Sequence, residues 1–277
     1  CAGRVTGMEQ QDILSMTLPE LQAAVQELGE PKFRAKQIFN WLHQKRVTDF
    51  SEMTTLSLPF RERLASDFCI NRLKIAKRLA SSVDDTVKYL YELPDGNYVE
   101  TVCMQYHHGT SLCISTQVGC RMGCRFCASA IAGFVRNLTP AEMLLQIYET
   151  ERAQNCKISS LVLMGIGEPL DNFDNVLRFL QLLSDPNGYG MSLRHVTVST
   201  CGVVPKILEL AEQRLGLTLS VSLHCPNDAG RSAIMPINRS YPIDVLLDAC
   251  QTYFEKTGRR VTFEYAVMDQ VNSAEQD

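Results

Sequence analysis

The chain has 277 residues, a formal net charge of −4 and 45% hydrophobic residues, enough length and apolar content for one large domain with a small appendage. No apolar run approaches the ~18 residues that span a bilayer, and no charged-then-apolar leader is visible, so a cytoplasmic location without membrane contact is expected. Eleven cysteines, an odd number, argue against a disulfide framework and for metal or redox use of a subset.

The chain opens on Cys1 and Met8 is its first methionine. Residues 1–7 therefore read as an expression remnant, or the native start lies upstream. Residues 8–70 read as a small helical accessory domain. Leu18, Leu21, Val25 and Leu28 recur at helical spacing, Gly29-Glu30-Pro31 interrupts, and Phe33, Gln37, Ile38, Trp41 and Leu42 resume the pattern. Charge is concentrated near this region. Between residues 31 and 78 eleven basic residues face four acidic ones, a local balance of 11 − 4 = +7. A basic face of that kind can hold RNA phosphates, with Trp41 or Phe33 in support. Solvated helix faces carry Lys and Arg as readily, and both aromatics suit a core.

Residues 71–110 change period. Thr86–Tyr91 alternates, Pro94-Asp95-Gly96-Asn97 is a turn signal, and Tyr98–Val102 alternates again, which predicts a β-hairpin extension. From residue 111 onward strand, loop and helix repeat. Strands are expected at 111–117, 160–164, 194–199, 217–222 and 260–267, and helices at 139–154, 172–184, 204–214 and 243–256. Thr139, Pro140 and Glu142 form a helix-start signal with a capping box. This alternation implies an α/β core over 111–277 with a parallel sheet and right-handed crossovers.

The chemistry is carried by Gly119-Cys120-Arg121-Met122-Gly123-Cys124-Arg125-Phe126-Cys127, set between an expected strand and a capped helix. Three thiolates within eight residues suit a soft metal or an iron–sulfur cluster. A tetrahedral zinc site normally needs a fourth ligand at matching spacing, and no second Cys or His pair follows. A cubane held by three thiolates keeps one iron open for a small molecule.

The spacing Cys-x3-Cys-x2-Cys resembles the signature of the radical S-adenosylmethionine superfamily. Further motifs resemble the RlmN-type dual-specificity rRNA and tRNA adenine-C2 methyltransferases within it. They are Cys113–Cys120, Arg136-Asn137-Leu138, Met164-Gly165-Ile166-Gly167-Glu168-Pro169, Val198-Ser199-Thr200, Gly202-Val203-Val204-Pro205, Ser222-Leu223-His224, Pro226-Asn227-Asp228, Met235-Pro236-Ile237-Asn238 and Phe263-Glu264-Tyr265. Phe33–Ile38 also resembles that family's N-terminal domain, so the resemblance covers nearly the whole chain.

This resemblance implies a partial (βα)6 radical S-adenosylmethionine barrel, with its last βα unit beyond Asp277. It implies a [4Fe–4S] cluster on Cys120, Cys124 and Cys127, whose open iron is chelated by S-adenosylmethionine. Gly167 and Glu168 would meet the amino end of that molecule. Ser199, Ser222, Leu223 and His224 would line the rest of its pocket; without the resemblance these read as ordinary strand ends.

Two S-adenosylmethionine molecules are used per turnover in the family. One methylates a cysteine near the C-terminus, and the second yields the radical that activates this methyl group for addition to adenine C2. Glu100 matches the proton-abstracting glutamate. Cys113 matches the resolving cysteine, which frees the product through a transient disulfide. The methyl-carrying cysteine has no match up to Asp277 and is expected beyond it. The implied substrates are adenine 2503 of 23S rRNA and adenine 37 of certain tRNAs, with a flavodoxin-like electron donor and a monomeric enzyme.

The competing readings are the related adenine-C8 rRNA methyltransferase, a non-catalytic cluster-bearing RNA-binding protein and a zinc module. Pro169 after Glu168 resembles the C2 enzymes. The seven other cysteines, Cys1, Cys69, Cys103, Cys156, Cys201, Cys225 and Cys250, match no role and read as structural.

Overall fold

The structure, a computed structural model, describes residues 10–131 and 133–274. The expected remnant at residues 1–7 lies outside the described residues. The N-terminal part holds three helices, α1 (Leu18–Glu27), α2 (Phe33–His43) and α3 (Leu58–Asp67). A two-residue parallel pair, β1 (Gln11–Asp12) and β2 (Phe68–Cys69), closes it. Thr17 and Glu20 cap the start of α1 reciprocally, satisfying backbone donors that a helix start leaves open. Ile13, Leu21, Val25, Ile38, Phe39, Leu42 and Leu64 are buried here and belong to the same apolar core as the rest of the chain.

Eight strands form the main sheet in the order β12-β11-β10-β9-β6-β5-β4-β3. The strands β3 (Lys74–Ala80), β4 (Val87–Glu92) and β5 (Tyr98–Tyr106) pair antiparallel, and β5 pairs antiparallel with β6 (Gly109–Cys113). The expected hairpin is β4–β5, closed by a turn in which the Asp95 side chain accepts the Asn97 N–H. It does not stand apart: it continues the main sheet, with β3 as an additional edge strand.

From β6 the sheet is parallel through β9 (Ile158–Leu163), β10 (Val196–Thr200), β11 (Thr218–Ser222) and β12 (Val261–Glu264). The crossovers carry α4 (Pro140–Gln154), α5 (Phe173–Ser184), α6 (Val204–Glu212), α7 (Asp228–Ile234) and α8 (Ile243–Thr257). The capping box at Thr139 and Glu142 is formed as expected. The short helix α7 was not anticipated.

The strand expected over 111–117 is broken. The chain leaves the sheet after Cys113, crosses under residues 165–166 through Ile114–Thr116, and re-enters a separate two-stranded ribbon. That ribbon is β7 (Gln117–Gly119) with β8 (Phe134–Asn137). The Ser115 hydroxyl donates to the Glu100 carbonyl and accepts the Ile166 N–H, serving backbone groups that a straight strand would pair.

A sheet covered on both faces is normally apolar on both. Here one face packs Leu112, Leu161, Leu163, Val196, Val198, Leu219 and Val221, all buried, against the helices. The other face is polar. The strand registers place Glu100, Val102, Cys113, Val162, Thr197, Ser199, Ser220, Ser222, Thr262 and Glu264 together on it. The crossover helices and their apolar core do not occupy this face, and it ends at the loops that follow the parallel strands.

Candidate active site

The cysteine loop leaves β7 at Gly119. Its φ of +72° and its contact with the next loop both require glycine: a Cβ there would lie 1.7 Å from the Gly133 carbonyl oxygen. The Cys120 N–H bonds that same Gly133 carbonyl, and the Cys127 N–H bonds the Cys124 carbonyl. The Arg125 N–H bonds the Ile234 carbonyl at the end of α7. The backbone therefore bends around a small volume and presents Cys120, Cys124 and Cys127, each half-buried. The three sulfurs act on one another electrostatically. Burial pushes the Cys124 thiol up to about 12, with the other two sulfurs adding to it, and burial also raises Cys120. Thiols raised in this way become ligands when a bound group stabilises the thiolate.

The donor set tests which group fits. Among the described residues no three His, Cys, Asp or Glu side chains converge closely enough to hold a single ion. A cubane spreads its irons over separate corners and needs its thiolates arranged around it. Three soft donors in one loop with no matching fourth suit that group, not a tetrahedral zinc ion.

The loop after β9 closes against this one. Gly167 has φ +107°, and a Cβ there would lie 2.5 Å from the Gln117 side chain. The Gln117 amide accepts the Glu168 N–H and donates to Asn137 and Asp171. Asp171 in turn pairs with Arg121 of the cysteine loop at 2.8 Å. Glu168 is 4% exposed, and burial raises its pKa. Its carboxylate accepts the Leu170 N–H at 3.0 Å and the Cys201 N–H at 2.8 Å. The Glu168 side chain is thus engaged in fixing two loops, a role not visible in the motif itself.

Ser199 and Ser222 lie on the polar face of β10 and β11. Leu223 and His224 follow the end of β11, where both N–H groups bond the Glu264 carbonyl. His224 has φ +56°, and its Nδ1 accepts the Ala266 N–H at 3.0 Å, leaving Nε2 as the protonated ring nitrogen when neutral. Burial lowers its pKa. Its ring meets Phe126 of the cysteine loop edge-on at 4.8 Å. Asn272, buried, donates to the His224 carbonyl and ties down the segment after β12. Ser199, Ser222, Leu223, His224, Gly167 and the three cysteines are therefore gathered at one end of the sheet.

Glu100 and Cys113 share the polar face. Val102 is the register partner of Cys113, and Glu100 stands two residues along the same strand. Glu100 forms an ion pair with Lys88 at 2.7 Å. Burial pushes the Cys113 thiol up to about 11, with Glu264 adding to the effect. Cys113 is a free thiol here; the cysteine that would pair with it transiently is expected beyond Asp277. Of the cysteines read as structural, Cys69, Cys103, Cys201, Cys225 and Cys250 are buried.

The +7 segment is not one surface. Arg46 and Arg72 pair with Glu151 and Glu149 of α4, while Arg61 and Arg63 serve the Ser51 and Leu28 carbonyls. Lys74, Lys77 and Arg78 lie instead on the exposed edge strand β3. Charge counted along sequence could not separate bases that staple the fold from bases left in solvent. Trp41 packs partly against the core, whereas Phe33 is 58% exposed. Sequence reasoning gave no site role to Gln117, Arg231, Glu264 and Asn272, although Gln117 and Glu264 fall inside quoted motifs. Arg231 lies between two of the motifs, and only its burial marks it out.

Among the described residues no helix is long and apolar enough to cross a membrane. Residues 11–70 match the family model of the ribosomal RNA large subunit methyltransferase N-terminal domain, and residues 114–277 match that of the radical SAM superfamily. The chain is 52% identical over 267 residues to a protein of Lachnoclostridium phytofermentans named a probable dual-specificity RNA methyltransferase RlmN, covering 95% of this chain and 74% of that one. A similarly named protein of Clostridium novyi is 47% identical, covering 96% and 78%. The crystal structure of a radical SAM methyltransferase from Sphaerobacter thermophilus superposes with a TM-score of 0.91 at 39% identity, covering 96% of this chain and 79% of that one. With the three-cysteine loop closing on the loops after β9 and β11, the chain belongs to the RlmN family of radical S-adenosylmethionine RNA methyltransferases.

Proposed function

We propose that this protein methylates C2 of adenine in 23S rRNA and tRNA through a methyl-cysteine relay that uses two molecules of S-adenosylmethionine. Cys120, Cys124 and Cys127 would hold a [4Fe–4S] cluster. When bound, the cluster supplies the electron that cleaves S-adenosylmethionine reductively.

The chain's own residues define the rest. The backbone of the Gly167-Glu168 loop and the residues Ser199, Ser222, Leu223 and His224 orient the cosubstrate at the strand ends, where open α/β sheets bind ligands. Glu168 acts by holding its loop on Cys201. Glu100 removes the adenine C2 proton as general base, with Lys88 beside it. Cys113 acts as the thiol that releases the product. The adenine reaches this face unstacked from its RNA.

The observation that carries the reading is the placement of Glu100 and Cys113 on one polar sheet face that also bears Ser199 and Ser222 and ends at the three-cysteine loop. The test is mass spectrometry of adenosine from RNA incubated anaerobically with S-adenosylmethionine, a reductant and the enzyme extended by its relatives' C-terminal segment. The reading expects 2-methyladenosine, lost in Glu100→Gln and Cys113→Ala. Formation of 8-methyladenosine would assign the related C8 reaction, and no methylated base would remove the reading.

A further inference from the structure

Arg231 of α7 is fully buried, at 0% exposure, and heads the fully buried side chains by size. All four of its hydrogen-bond acceptors are neutral. Nε donates to the Leu223 carbonyl at 3.2 Å, Nη1 to the Asn238 amide oxygen at 2.8 Å, and Nη2 to the Cys201 and Ser222 carbonyls at 2.7 and 3.0 Å. A guanidinium cannot shed its proton in a protein, so a buried one needs a counter-charge. The groups within electrostatic reach of it are the sulfurs of Cys201 and Cys124, then Asp228 and the sulfur of Cys225; burial raises the Cys201 and Cys124 thiols, so Cys201 stays a neutral thiol and Cys124 gains its charge on binding the cluster. Asp228 keeps its charge while accepting from the Asn238 amide and the Ile243 N–H, but none of the guanidinium's four hydrogen bonds goes to it.

The neighbourhood points the same way. Cys201, Cys225, Ile234 and Met235 form a small apolar cluster with Met122 and Cys124 of the cysteine loop packed on it. The Arg125 N–H of that loop bonds the Ile234 carbonyl on the same helix as Arg231. The cation is thus held in a dry wall directly behind the thiol loop.

We propose that Arg231 is the counter-cation of the cluster held by Cys120, Cys124 and Cys127, and that its charge keeps the cluster reducible. This rests on the cluster reading given above. Three thiolates on a cubane give it net negative charge, and reduction adds one more. A fixed buried cation favours the reduced form, because net charge and burial are among the protein's means of setting such potentials. Arg231 is a positioning residue for the electron-transfer step: it fixes the strand ends through its hydrogen bonds and sets the potential through its charge.

The test is an anaerobic potentiometric titration of the reconstituted 277-residue chain, followed by electron paramagnetic resonance of the reduced cluster. Arg231→Gln removes the charge, and the reduction equilibrium constant should fall about tenfold, equivalent to about 59 mV for one electron. Arg231→Lys keeps the charge but loses most of the hydrogen bonds. It should unfold more easily yet reduce within about threefold of the parent. If Arg231→Gln retains its iron and reduces like the parent, Arg231 is only a hydrogen-bonding staple and the proposal is overturned. If Arg231→Gln does not fold, Arg231→Lys decides: a tenfold weaker reduction there also overturns it. A parent chain with no iron–sulfur absorbance would instead defeat the cluster reading, so the two failures are distinguishable.

Discussion

Glu168 and Arg231 grip one residue from opposite sides: the Glu168 carboxylate accepts the Cys201 N–H at 2.8 Å, and Arg231 donates to the Cys201 carbonyl at 2.7 Å. The end of β10 is therefore fixed by an acid from the loop after β9 and a base from the helix after β11. Replacing Glu168 by Ala strands two buried N–H groups, those of Leu170 and Cys201. The expected cost is about 3 kcal/mol of unfolding free energy, since each unmet buried donor costs roughly 1–3 kcal/mol. Glu168→Gln keeps one acceptor oxygen and should cost about half as much. Urea unfolding of the three proteins checks the order.

Two glycines give a contrast in one experiment. Gly29 has φ +77° and open space around it, whereas Gly119 has φ +72° and the Gly133 carbonyl against it. Gly29→Ala should cost about 1 kcal/mol for the left-handed backbone alone. Gly119→Ala must also move the cysteine loop, so it should lower cluster content sharply under the same reconstitution. Iron analysis beside thermal melting separates the effects.

Arg136 joins three elements. Its guanidinium makes two bonds of 2.8 Å to Glu142 at the start of α4 and one of 2.6 Å to Asp95 in the β4–β5 turn, holding the Asp95 carboxyl below the usual range. Glu142 is buried. Arg136→Met leaves that carboxylate without its cation and should cost about 3 kcal/mol, the range for breaking a largely buried pair from one side. Arg136→Lys should recover only part, because a lysine cannot bond both oxygens and Asp95 at once.

Two groups, the buried His43 and the partly buried Asp12, give opposite pH dependences. Burial lowers His43 to about 4 and raises Asp12 to about 6. For His43 the unfolded chain takes up its proton first, so stability falls as pH drops from 6.5 toward 4. For Asp12 the folded chain takes up its proton first, so stability rises as pH drops through 6 toward 3.8. Each amounts to about 3 kcal/mol at ~1.4 kcal/mol per pH unit, and the two nearly offset. Asp12→Asn should therefore lose about 3 kcal/mol between pH 7 and 4, and His43→Gln should gain a similar amount over the same range. Equal slopes in the two variants would contradict the assignment.

Much of this architecture is legible in sequence because it follows local rules. Thr139-Pro140-x-Glu142 starts α4 as expected, and the alternation across Asp95-Gly96 makes the β4–β5 hairpin. The cysteine triplet follows a strand as expected, but β8 of the same two-stranded ribbon stands between it and α4. What escaped is non-local. Ser115 breaks the strand after Cys113 by bonding a carbonyl fifteen residues back and an N–H from the loop after β9. Arg231 sits in a seven-residue helix with no periodic signal, and its role depends on carbonyls from two strands. The basic segment dispersed because pairing to α4 is decided by tertiary contact.

The central claim is that Cys120, Cys124 and Cys127 together hold one iron–sulfur cluster. Anaerobic reconstitution of the chain, with iron and sulfide analysis and visible absorbance, tests it directly. The account predicts about four irons and four sulfides per chain, and loss of both the metal and the absorbance when all three cysteines become alanine. No bound iron in the parent chain, or full retention in the triple variant, would contradict it.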